Sequence, residues 1–155
     1  MAKRKQILRL GPGNDICLIG ISCHLKSYRL SFAMDKSLGL SFSRIEDFIV
    51  QGNTNGMLGY PFLMVEDDDL KNQFCLVGNH HPQGKLVPAL GQVDFFLMAS
   101  NPMEQNILNG MIKKIRGIPQ VLAAYQIDPA GTRDIDLLLE EMELHLLMAN
   151  RSRAV

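Results

Sequence analysis

The sequence predicts an α+β domain: a mostly antiparallel sheet of about five or six strands with helices packed on one face, plus a C-terminal helix. Three observations predict it. Short apolar runs in the middle of the chain are separated by short polar loops, and strands joined so closely pair antiparallel. Two segments between and beside those runs carry apolar residues at helical spacing. The last segment, from Arg133 onward, is helical in period and apolar on more than one face.

Ala2 to Lys5 reads as a solvated charged end, and Gln6 to Leu10 as a short strand. Two glycines and a proline make Gly11 to Asp15 a turn. A phosphate loop would open a helix, whereas the apolar run Ile16 to Ile21 follows, so a strand is expected there. Ser22 to Lys26 connects it to a helix. Ser27 stands where a cap is needed, Leu30, Ala33, Met34 and Leu38 form an apolar stripe, and Gly39 ends the helix. Leu40 to Gln51 fits no single period, and a strand is expected over Asp47 to Gln51. Gly52 to Gly56 is a turn. Tyr60 to Val65 and Gln73 to Val77 read as paired strands, with the polar loop EDDDLKN between them. Pro61 cannot donate to a ladder, so it belongs at a strand start or an edge. Gly78 to Lys85 is a second polar loop.

Leu86 to Gly117 reads as turn, buried strand and capped helix in succession. Val93 to Met98 is the strand, interrupted only by Asp94. Asn101 as N-cap, Pro102 at the first helical position and Glu104 in a capping box predict the helix start. Ile107, Leu108, Met111, Ile112 and Ile115 form its apolar face, and Gly117 with Pro119 stops it. Gln120 to Ile127 is a further strand, broken by Pro129 and Gly131. Thr132 caps a helix running from Arg133 to near Asn150. A single domain is therefore expected over residues 1–128, with residues 129–155 as a helical extension.

Ile135, Leu138, Leu139, Met142 and Leu146 make one stripe of that extension, while Leu137, Leu144, Leu147 and Met148 spill onto other faces. A helix so apolar wants two partners. Its own sheet is expected to be one and a second copy of the chain the other. The stripe Ile135, Leu138, Leu139, Met142 and Leu146 is expected to carry the homodimer contact.

A chain of 155 residues suits one domain, and a hydrophobic content of 46% supplies a real core. A formal net charge of zero argues against non-specific nucleic-acid binding, which needs a basic face, although it permits a local basic patch. MAKRK is not followed by an apolar run of signal-peptide length. No stretch approaches the roughly 18 apolar residues that a membrane span needs. Cys17, Cys23 and Cys75 are odd in number and sit in apolar surroundings, as buried free thiols do. A cytoplasmic protein without a cofactor is expected.

The candidate chemistry is thin. His80 and His81 with Cys23 and His24 would suit zinc, but no CxxC is present and adjacent histidines on a strand point opposite ways. No metal is expected. Asp67, Asp68 and Asp69 lack the alternate spacing and distal Glu of a calcium loop, and read as a solvated hairpin tip. Ser22, Cys23 and His24 are consecutive, which makes a poor nucleophile–base pair on extended chain. Lys113, Lys114 and Arg116 close a helix, where the macrodipole alone favours cations.

Val87 to Phe95 reads VPALGQVDF. It resembles the signature of a Bacteroidetes family named for Ile-Pro-Glu, three variable residues, and Val-Asp-Tyr. The segment ICLIGISCHLKSYRLSFAMDKSLGLSFSRIEDF is similar to the strand and helix that open those proteins. The likeness covers most of Ile16 to Asp128. Val87, Pro88, Val93 and Asp94 match the signature, whereas Ala89 replaces its Glu and Phe95 its Tyr. The family has no assigned activity, so the resemblance implies an architectural motif: Pro88 fixing a turn, Val93 in the core, Asp94 accepting backbone donors. The function expected is non-catalytic, a protein–protein interaction or oligomerisation domain. The alternative is a small-ligand or nucleic-acid binding module using a groove beside Asp94 and the Ser22 to His24 loop.

Overall fold

The computed structural model describes residues 16–51, 56–128 and 133–154. Its elements run β1 (Cys17–Cys23), α1 (Ser27–Leu38), β2 (Ser43–Arg44), β3 (Phe48–Gln51), β4 (Met57–Tyr60), β5 (Phe62–Asp67) and β6 (Asn72–Gly78). They continue through β7 (His80–His81), β8 (Gly84–Lys85), β9 (Phe95–Ala99), α2 (Gln105–Arg116), β10 (Val121–Ile127) and α3 (Arg133–Ala154). Six strands form one sheet in the order β10-β1-β9-β6-β5-β2, with β3–β4 and β7–β8 as separate hairpins. Every pair is antiparallel. The fold is α+β.

Every residue of β9 is buried, and so are all but one of β6. Side chains alternate across a strand, so strands apolar at consecutive positions need cover on both faces. On one face Ile19, Ile21, Leu97 and Leu76 meet Leu30 and Met34 of α1 and Leu108, Ile112 and Ile115 of α2. On the other, Leu18, Phe96, Met98 and Phe62 meet the β3–β4 hairpin and α3. The sheet is thus the middle of three layers, with α1 and α2 on one side and the C-terminal helix on the other.

Several expectations shift in detail. Tyr60 to Val65 is two strands, because Pro61 breaks the ladder and the chain passes from the β3–β4 hairpin into the main sheet. The loop from Gly78 to Lys85 contains the short β7–β8 hairpin. Ser27 is the first residue of α1 rather than its cap; Lys26 holds that position without a side-chain hydrogen bond. α2 starts at Gln105, four residues after the expected cap. Asn101 is held elsewhere: its N–H donates to Asn72 Oδ1 at 2.9 Å and its Nδ2 to the Lys71 carbonyl at 3.0 Å. That ties it to the β5–β6 turn, out of reach of the helix. Gly39 does end α1, at φ +69° in the left-handed region that glycine tolerates. The expected Gln6 to Leu10 strand, the Gly11 to Asp15 and Gly52 to Gly56 turns and the Thr132 cap lie outside or mostly outside the described residues.

Gly110 lies inside α2 on its exposed side, and an added Cβ would meet nothing within 4 Å. Gly110→Ala is therefore expected to stabilise the protein by about 0.5–1 kcal/mol, since a helical glycine loses more backbone freedom than alanine. A rise in thermal midpoint checks it; an unchanged or lower midpoint contradicts the placement of Gly110 in an open helical turn.

Candidate functional site

The signature-like segment is built around a residue outside it. Asn79 follows β6 and is fully buried. Its Oδ1 accepts the Val87 N–H at 2.7 Å, while its Nδ2 donates to the carbonyls of Val93 at 2.8 Å and Leu90 at 3.1 Å. Its own backbone N–H donates to the Asp94 carbonyl at 2.9 Å, and its carbonyl accepts the Leu86 N–H at 2.8 Å. Residues 86–94 therefore wrap a single side chain. Pro88 starts a one-turn 3-10 helix, Pro88–Leu90, inside the wrap. Val87 and Val93 are buried on either side of it. A buried amide with both donors and its acceptor in use is the arrangement that lets a loop lie against a core.

Asp94 closes the end of the wrap. Its Oδ2 accepts the Cys23 N–H at 2.8 Å. The β1–β9 ladder ends at Ile21 and Phe95, and β1 slips register against β10 between Ser22 and Cys23. The carboxylate thus serves a backbone donor that the ladder leaves behind. Asp94 Oδ1 lies 2.6 Å from His80 Nε2, and the Ser22 hydroxyl donates to the Gln92 carbonyl at 2.6 Å. The polar atoms of the groove expected here are consequently engaged with one another. His24 and Arg29, which a ligand site would draw in, are exposed.

Nucleophilic chemistry finds little support at this position. Burial pushes the Cys23 thiol above its ordinary range, the Leu25 carbonyl contact opposes that, and the Asp94 carboxylate raises it further. A thiolate is the reactive form, so the Cys23 environment suppresses it. Burial pushes the Cys75 thiol up more strongly still. Among the described residues, no three His, Cys, Asp or Glu side chains gather as a metal site. His81 instead packs against the Tyr60 ring, 5.8 Å between centroids.

The second candidate is α3. The stripe expected to meet a second copy is covered by the chain itself: Ile135, Leu138, Leu139, Met142 and Leu146 are all buried, in one cluster with Phe62, Phe96 and Met98. They hold the helix on its own sheet and leave little surface for a second copy, Leu138 alone reaching the edge of a groove. His145 adds to that seat. Its Nε2–H donates to the Glu46 carbonyl at 2.9 Å, and its ring stands edge-on to Phe62 at 4.6 Å and Phe48 at 5.5 Å. The other face is different. Leu137, Leu144, Leu147 and Met148 are between 47% and 61% exposed. Leu137 also lines an open groove of about 440 Å³ with Leu86, Pro88, Phe48 and Val50. Period 3.6 separates the two stripes, and the sequence alone does not say which one the sheet takes.

Among the described residues, no helix is long and apolar enough to cross a membrane. No family model, no curated protein and no solved structure matches the chain.

Proposed function

We propose that the chain is a non-catalytic self-association domain, whose homodimer contact is the outer stripe of α3: Leu137, Leu144, Leu147 and Met148. The observation that carries this reading is four large apolar side chains left uncovered on a helix already anchored by its opposite face. Scattered exposed leucines need no explanation; a row of them along one helix calls for cover. A second copy suits the row because a two-fold interface brings the same patch to itself. The groove by Leu86 and Pro88 supplies apolar surface at the Leu137 end. Membership of the family with the Ile-Pro-Glu signature belongs to the same proposal and rests on Val87, Pro88, Val93 and Asp94.

The test is the pair Leu144→Glu and Leu147→Glu in one chain. Light scattering after size exclusion is expected to give the mass of one chain, with an unchanged circular dichroism spectrum. A variant that keeps the mass of the unmodified protein contradicts the α3 interface.

A further inference from the structure

A net charge of zero hides a division of charge across the sheet. α1 and α2 lie on one face and together carry five cationic residues and one acid, Asp35. α3, on the opposite face, carries Asp136, Glu140, Glu141 and Glu143 among its described side chains. The single acid of the basic layer is turned aside, since Asp35 Oδ1 accepts the Phe42 N–H at 2.9 Å. The outward positions of α1 then read Tyr28, Arg29, Phe32 and Lys36, all exposed. Phe32 is 60% exposed and Tyr28 62%, although both stand on a helix whose other side is well buried. Lys36 Nζ sits 4.6 Å from the centre of the Phe32 ring. α2 contributes Lys113 and Lys114, also exposed. The His24 N–H donates to the Gln120 carbonyl at 3.3 Å, so α1 begins beside the place where α2 ends. Asp67 and Asp69 line a groove with Leu38 and Gly39 at the end of α1 and with Lys114 of α2, so Lys114 stands at the acidic edge of this face and Arg29, Lys36 and Lys113 lie outside that groove.

We propose that this face binds single-stranded nucleic acid, with bases stacked on Phe32 and Tyr28 and phosphates met by Arg29, Lys36, Lys113 and Lys114. Exposed cations alone would fit any polyanion; two uncovered aromatic rings among them select one that offers flat π faces. Lys36 covers the Phe32 ring loosely, and an incoming base outbids an exposed cation–π contact while freeing the lysine for a phosphate. A duplex hides its base faces within the stack and is a poorer fit. An acidic peptide has charge without faces. The proposal does not depend on the α3 interface, because the two surfaces lie on opposite sides of the sheet.

Fluorescence anisotropy of the full chain with a labelled oligothymidylate of about 12 nucleotides tests it. Binding that weakens steeply with added salt is expected, with an affinity about tenfold lower in Phe32→Ala. Arg29→Glu combined with Lys113→Glu is expected to abolish binding at the same salt concentration. All three residues are exposed, and circular dichroism verifies that the variants fold. The Leu144→Glu, Leu147→Glu chain is expected to bind as the unmodified one does. Absence of binding at low salt overturns the proposal. So does equal affinity for a duplex, an unaffected Phe32→Ala, or competition by polyglutamate as effective as that by unlabelled oligothymidylate.

Discussion

Asn79→Ala is expected to lower the unfolding free energy by about 4 kcal/mol, a large effect for one polar residue. The side chain removed makes three hydrogen bonds, to Val87, Leu90 and Val93. Val87 and Val93 are buried, so water does not readily replace the amide there. A buried backbone group left alone costs about 1–3 kcal/mol, and two are created. Leu90 is half-buried, and its carbonyl is the easiest to rehydrate. Asn79→Asp offers no rescue, because it retains the acceptor and loses both donations. Urea unfolding at unchanged slope measures the loss. His80→Ala is the control. It removes an exposed pair with Asp94 and is expected to cost less than about 1 kcal/mol. If Asn79→Ala costs no more than that control, residues 86–94 are not organised around Asn79.

Met142→Ala is expected to cost about 3 kcal/mol, against less than about 0.5 kcal/mol for Leu144→Ala measured on the monomer. The two positions are two residues apart in the chain and opposite in environment. Met142 is fully buried on the sheet-facing side of α3, whereas Leu144 is 54% exposed. Truncating the first empties space in a packed layer; truncating the second removes surface already in water. Urea unfolding of both variants in the Leu147→Glu background keeps association out of the comparison. Equal losses at the two positions would mean that α3 does not lie on the sheet by its Ile135–Leu146 face. The contrast also fixes which stripe is available to a partner.

The layers were legible where period and punctuation agreed. Leu30 and Met34 with Gly39, and Leu108, Ile112 and Ile115, predict the two helices of one face because apolar residues recur at helical spacing. Strand capacity was legible in β6 and β9 because their apolar residues stand consecutively between turn signals. Helix starts were not. Asn101, Pro102 and Glu104 satisfy every local rule for a cap, yet Asn72, far away in sequence, claims Asn101 first. Local rules cannot see such a competitor. Asn79 was invisible too, because a polar residue in a polar loop carries no mark of burial. On α3, the pattern showed one clean stripe, Ile135 to Leu146, with further apolar residues on other faces, and the clean stripe was expected to meet a second copy. Which apolar face the sheet takes and which is left to solvent depends on the shape of the sheet face, which period alone does not encode. The charge division between layers escaped a net-charge argument, since a sum over the chain discards which helix lies on which side.

Self-association through α3 is the claim on which the functional reading rests, and sedimentation equilibrium of the unmodified full chain addresses it directly. The account predicts a mass near twice that of one chain at high concentration, falling toward one chain on dilution. A mass of one chain at every concentration would contradict it.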